Sequence, residues 1–317
     1  MNNPSIPDSL KSCAVCGESR FTARPVLWPE LVQAWELSPE EVAYTDLQQG
    51  LDCAACGANL RSMTLASVIL RRLGRTVTFR ELCAHDGEWR GLKVLELNPA
   101  GHLAGWLPAL PHHRLGSYPE VDMQALPFAA DSWDVILHSD TLEHVPDPER
   151  ALAECHRVLK PGGWMAFTIP IIHGRLTRSC AGRPPSYHGG PGKPQEDFRV
   201  ATEYGADFYV SLMEAGFTGV ELHTIVFPAS LAILAVKSDG AVTAPPGDPD
   251  SLPPPAPPEN VSRLAEQLQE LQNKHEKLLA RLEQEKERSE KWKAKSGQVK
   301  TKPAPARRPW WRRLFRR

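Results

Sequence analysis

No run in the 317 residues is both apolar and long enough to cross a bilayer, and the N-terminus has no apolar stretch of the leader-peptide kind. Export and membrane insertion are therefore not expected, and a cytoplasmic location is. An overall charge is lacking too, since 37 Lys and Arg stand against 38 Asp and Glu. The balance is uneven along the chain. From Gly297 onward there are eight basic residues and no acid, so removing them from the whole-chain −1 leaves −9 on residues 1–296. Nor do the seven cysteines form the framework of a small secreted domain. With 41% apolar and 24% charged residues the composition is that of a soluble globular protein, and the length suits two domains or one large domain with appendages.

Four of the cysteines fall into two pairs, Cys13-x-x-Cys16-Gly17 and Cys53-x-x-Cys56-Gly57. This spacing lets two thiolates converge on one ion, and the glycine permits the tight turn that aims backbone N–H groups at sulfur. Four thiolates suit tetrahedral zinc in a structural site, with no position open for a reacting water. Two redox pairs, or coincidence, are the alternatives. Residues 1–60 are thus expected to form a small zinc-ribbon-like module with little core of its own, held by the metal. Its insert carries Trp28, Trp35 and Tyr44, with a short helix from Pro39. Residues 61–90 are read as a connection, opened by an amphipathic helix over 60–73 with Arg61, Arg71 and Arg72 on its outer side.

The segment from Asp122 to Pro170 changes period twice. Trp133 to Leu137 reads as a buried parallel strand, and Asp147-Pro148 starts a helix whose apolar face is Ala151, Leu152, Cys155, Val158 and Leu159. Pro161-Gly162-Gly163 is expected to stop that helix before a second apolar strand over 164–169. Strand, loop, helix, turn and strand make a βαβ unit. Leu126-Pro127-Phe128 before Ser132-Trp133-Asp134-Val135-Ile136, then Leu142-Glu143-His144-Val145-Pro146-Asp147-Pro148, then Arg157-Val158-Leu159-Lys160-Pro161-Gly162-Gly163-Trp164 resemble the second half of a class I S-adenosylmethionine-dependent methyltransferase. The resemblance implies a Rossmann-like, doubly wound α/β sheet over residues 91–238, with S-adenosylmethionine as cofactor.

Residue by residue, the resemblance places the cofactor at the turn after a first strand, Val94 to Leu97. There Glu96 is kept, but Asn98 stands where a glycine is usual, and Gly101 is the nearest glycine. Asn tolerates positive φ, so the turn can survive. The departure also leaves open weakened binding, or a catalytically silent scaffold. Too few residues follow for the usual second and third strands, and one strand over 112–119 is expected. Glu120 is the candidate for the ribose hydroxyls and Asp122, with Met123 beside it, for the adenine edge. Asp122 as a mere turn residue is the alternative. His138 and Ser139 close the cofactor set at the end of the next strand. His144 is the candidate general base, or else a structural histidine, with His188 as a second catalytic candidate.

A Gly/Pro-rich stretch over 173–195 carries Arg175, Arg178, Arg183 and Lys193. It reads as a lid that binds an anionic acceptor, or as a solvated loop. Residues 201–215 read as a helix, followed by strands over 220–224 and 231–236. Residues 239–259 are a Pro-rich linker. Val261, Leu264, Leu268, Leu271, His275, Leu278 and Leu282 then form a short heptad seam, so 260–295 is expected to be a coiled-coil helix that makes a homo-oligomer or docks elsewhere. In the tail, 296–317, two tryptophans, Leu314 and Phe315 alternate with arginines. That pattern suits an anionic membrane surface better than nucleic acid or plain solvent. The combined layout resembles enzymes of surface-glycan synthesis, which implies a saccharide or lipid-linked acceptor. A nucleic-acid methyltransferase is the other enzymatic reading.

Overall fold

The computed structural model describes residues 6–183, 185–187 and 196–240, with isolated positions 277 and 286. His188, Lys193, the linker from residue 241 on, the residues of the heptad seam and the basic tail lie outside the described residues. Two compact units divide the chain, 1–245 and 246–317, and the sheets with their covering helices belong to the first.

The chain opens with the first cysteine pair and strand β1 (Phe21–Ala23), followed by helices α1 (Pro29–Ala34) and α2 (Pro39–Gly50) and strand β2 (Leu51–Cys53). Strands β1 and β2 pair antiparallel. Pro39 at the first position of α2 lacks an N–H that would go unpaired, and Ser38 and Glu41 form a reciprocal capping box. Helix α3 (Leu60–Arg72) follows the second cysteine pair, capped by Asn59, whose side chain accepts the Ser62 N–H at 2.9 Å. Helices α4 (Phe79–His85) and α5 (Gly87–Gly91) lead into β3 (Val94–Leu97) and β4 (His113–Gly116), then β5 (Trp133–Ser139), α6 (Pro148–Val158) and β6 (Leu159–Thr168). The short strands β7 (Ile171–Ile172), β8 (Arg178–Ser179) and β9 (Thr202–Gly205) precede α7 (Tyr209–Glu214) and the closing hairpin β10 (Gly219–Thr224) and β11 (Leu231–Val236).

The main sheet runs β10-β11-β6-β5-β3-β4. Its four central and edge strands β6, β5, β3 and β4 are parallel, and β11 and β10 add an antiparallel end. Alternation along each strand splits the core in two. Val94, Val135, Leu137, Trp164, Ala166 and Leu234 face the layer of α3, α4 and α5. Leu95, Leu97, Ile136, Met165, Phe167 and Ile233 face α6 and α7. Helices on both faces of a mostly parallel sheet make the doubly wound architecture expected from the sequence.

Several local expectations need correction. Helix α6 ends at Val158, three residues before Pro161, and Leu159 already pairs with Trp133. Residues 201–215 are not one helix. Thr202 and Tyr204 turn inward on strand β9, which lies between β7 and β8, and only Tyr209–Glu214 is helical. Period-2 burial with β-favouring side chains outweighed the helical spacing. Gly205 is required there, because a Cβ would stand 2.2 Å from the Arg175 carbonyl oxygen. The N-terminal segment also has more core than its sequence suggests. Cys13, Val15, Leu51 and Cys53 belong to the same apolar cluster as α3 and the sheet.

Candidate active site

A cavity of about 750 Å³ opens at the carboxyl ends of β3, β4 and β5. This is where open α/β sheets hold ligands, and the volume suits a nucleotide-sized molecule. Its wall includes Asn98, Asp122, Met123, Ser139 and His144. Asn98 takes φ 55°, the left-handed conformation its side chain tolerates, and its Oδ1 accepts the Tyr118 N–H at 3.0 Å. Asp122 is both wall and turn. Its Oδ1 accepts the Gln124 N–H at 2.8 Å and the side-chain amide of Gln124 lies at 3.1 Å, which still leaves lone pairs on the carboxylate. Ser139 exchanges a hydrogen bond with Thr168 across β5 and β6 at 2.8 Å.

The other expected cofactor residues stand elsewhere. Glu96 is buried beneath the turn, where it accepts the Ala100 N–H at 2.7 Å and faces His113 Nε2 at 2.7 Å. It holds the turn and is not among the residues lining the cavity. Gly101 also sits below, against Ser62. Glu120 is exposed and outside the cavity lining. His138 points into the core and stacks on Phe167 with ring centroids 4.5 Å apart. Neither of its nitrogens has a hydrogen-bond partner among the described residues, and burial holds its pKa down, to about 3.

His144 lines the cavity with Nδ1 2.9 Å from the Arg199 carbonyl oxygen. A carbonyl can only accept, so Nδ1 carries the proton and the lone pair resides on Nε2, the nitrogen a general base would use. Burial lowers its pKa, which keeps the ring neutral at physiological pH. The preceding Glu143 has a side chain only 2% exposed, and burial pushes it up to about 8, with the Arg61 charge opposing. Glu143 and Tyr204 line a small void of about 30 Å³ with Trp35, Leu37 and Val200.

Two further groups escape a reading by pattern. Arg61, placed on the outer side of its helix by periodicity, is largely buried, with its side chain 12% exposed and paired with Asp140. Asp140 has φ 45°, lines the cavity, and also accepts the Gln49 side-chain amide at 3.2 Å. The basic stretch expected to hold an anion is partly committed internally. Arg175 forms a two-pronged pair with Glu41, at 2.9 and 2.7 Å, and donates to the carbonyls of Trp35 and Glu36. Arg178 pairs with Glu203. A guanidinium saturated this way has few donors left for a ligand.

The four paired cysteines converge. Their sulfurs all lie within 4.8 Å of one another, with Cys13 and Cys56 at 3.7 Å and Cys16 and Cys53 at 3.6 Å. Gly17 and Gly57 take positive φ and their N–H groups close each turn onto the Cys13 and Cys53 carbonyls. Burial raises the Cys13 thiol and lifts Cys56 to about 11. Burial also acts to raise Cys53, but hydrogen bonds from the backbone N–H groups of Cys56 and Ala55 and from the Cys16 and Cys56 side chains together lower that thiol. The set has the ligand chemistry of a closed, tetrahedral cation site.

Among known proteins, the family model described as a methyltransferase domain matches residues 107–167. The ubiquinone biosynthesis O-methyltransferase of Albidiferax ferrireducens is 33% identical over 122 residues, covering 38% of this chain and 40% of that protein. An uncharacterized methyltransferase of Mycolicibacterium vanbaalenii is 49% identical over 63 residues, 20% of this chain and 25% of its own length. The chain thus spans two fifths or less of these relatives. Of the solved structures, the 1,6-didemethyltoxoflavin-N1-methyltransferase of Burkholderia thailandensis aligns at 17% identity over 56% of this chain and 79% of its own, with a TM-score of 0.35. The matched residues span β4, β5, α6 and most of β6, so this part of the main sheet is similar to a methyltransferase domain, and the strand order is that of a Rossmann-like, doubly wound sheet.

Proposed function

We propose that the chain is an S-adenosylmethionine-dependent methyltransferase acting on a saccharide or lipid-linked acceptor at the cytoplasmic membrane face. The observation that carries the reading is the cavity at the strand ends, where Asn98, Asp122, Met123, Ser139 and His144 meet within the region matched or flanked by the family model. Bound there, S-adenosylmethionine would supply an electrophilic methyl on its sulfonium. Asp122 would accept from the adenine amino group, and the Asn98 turn would pass beneath the sugar and sulfonium. The relatives named as O-methyltransferases favour a hydroxyl acceptor, whose proton would pass to His144 Nε2 as the new C–O bond forms and the C–S bond breaks. Alignment and exclusion of water would supply much of the rate, so one weak base suffices.

The four cysteines would hold a structural zinc ion. The heptad seam would make a homo-oligomer, and the Trp/Arg tail would rest on anionic lipid, which favours an acceptor displayed on a membrane over a nucleic acid. The test is methyl transfer from radiolabelled S-adenosylmethionine into three pools: lipid-linked saccharides, free saccharides and RNA. Label in either saccharide pool, lost on His144→Ala, supports the reading. Label confined to RNA would replace it with the nucleic-acid reading.

A further inference from the structure

The second cysteine pair is bracketed by the residues that hold the floor of the cavity. Gln49, four positions before Cys53, donates to the Asp140 carboxylate, and Arg61, five positions after Cys56, pairs with it. Ser62, the next residue, accepts the His102 N–H at 3.1 Å, and its Oγ would stand 2.5 Å from a Cβ on Gly101. The His102 ring in turn lies over the turn glycine of the pair, 3.4 Å from where a Gly57 Cβ would be. Between pair and helix there is no slack. The Cys53 N–H donates to Ala58 at 2.9 Å, and Asn59 caps α3 directly. These contacts to Asp140 and to the 98–102 turn all come from within ten residues of Cys53 or Cys56.

We propose that this four-cysteine site is the buttress of the cofactor cavity, with Gln49, Arg61 and Ser62 as positioning residues for Asp140 and the Asn98–His102 turn, so that cofactor affinity is linked to metal occupancy. The inference rests on the methyltransferase reading above. Its physical basis is that the turn has one glycine where a cofactor-binding turn of this fold ordinarily uses several, and so is shaped from outside by the helix it rests on. Asp140, in a left-handed conformation and facing the cavity, keeps its place through two side chains, Gln49 and Arg61, that flank the second cysteine pair in sequence. Linkage is reciprocal, so cofactor should also slow the loss of metal.

The experiment is calorimetric titration of the full-length, zinc-loaded chain with S-adenosylhomocysteine, repeated after chelation, after zinc is restored, and on Gln49→Ala, Arg61→Met and Arg61→Lys. Chelation should weaken binding about tenfold or more, and zinc should restore it. Arg61→Met should lose about tenfold, the scale of one charge-assisted contact, Gln49→Ala a few-fold, and Arg61→Lys should recover part of the loss. Gln49→Ala and Arg61→Lys are the mild changes that decide the matter if the stripped chain or Arg61→Met unfolds, as checked by circular dichroism. Unchanged affinity in folded Gln49→Ala and Arg61→Lys, or in folded stripped protein, overturns the buttress while leaving the enzyme reading intact. No binding by the loaded wild-type chain overturns the enzyme reading itself.

Discussion

His138 should make the protein acid-labile, and replacing it by phenylalanine should remove that lability. The ring is fully buried on β5 and stacked on Phe167, so charging it would place an unsolvated cation in the core. Its folded pKa lies near 3 against 6.5 for the ordinary side chain. A lowered histidine pKa means the unfolded chain binds more protons, so stability is full above pH 6.5 and declines as pH falls through the window from 6.5 towards 3. At pH 5 the unfolded histidine is almost wholly protonated and the folded one almost wholly neutral, which costs about 2 kcal/mol relative to neutral pH. That figure holds for any folded value well below 5, because only the unfolded titration enters. Glu143 and His144 also titrate in this range, with opposite signs, so the quantity to follow is the difference between variant and wild type. Urea unfolding read by tryptophan fluorescence at pH 7.5 and pH 5 should show His138→Phe gaining about 2 kcal/mol on wild type as pH drops. Parallel curves for the two proteins would refute the burial argument. Retention of cofactor binding by the same variant is expected, since the ring points away from the cavity.

Arg175→Ala should destabilise the fold by about 2–3 kcal/mol in urea, because it leaves Glu41 and two carbonyls without the donor that joins α2 to the small sheet. A loss below about 0.5 kcal/mol would show that solvent replaces the guanidinium. Cys13→Ser should release zinc, measured by a chromogenic chelator against protein concentration, and lower the melting temperature. Full retention of one zinc per chain would count against a four-thiolate site.

How much of the fold and the site was legible in the sequence differs by element, for physical reasons. Helix α6 could be read because its start, its apolar stripe and its N-cap are all local. The left-handed Asn98 could be read because few other residues tolerate that conformation, and the closing hairpin because Leu231 to Val236 is a continuous apolar strand. Arg61 could not. Helical period assigns an arginine to the outside, and its partner Asp140 lies 79 residues on, across a tertiary contact that no periodicity encodes. The same holds for Arg175, whose basic character suggested an anion site but whose partner Glu41 belongs to the N-terminal insert. Strand β9 was hidden because its inward Thr202 and Tyr204 matter only against β7 and β8, two-residue strands too short to announce themselves. Glu96 and His138 stand out in the sequence by type and position, but both are buried beneath the cavity rather than on its wall, a depth that no local pattern encodes.

The proposed methyl transfer requires that the cavity at the ends of β3, β4 and β5 bind S-adenosylmethionine. Calorimetric titration of the intact chain with S-adenosylmethionine and with its demethylated product, beside an Asp122→Ala variant, tests it most directly. Saturable one-to-one binding of both ligands is expected, weakened at least tenfold in the variant, on the scale of one lost charge-assisted hydrogen bond. Absence of binding at millimolar ligand, or equal binding by wild type and variant, would contradict it.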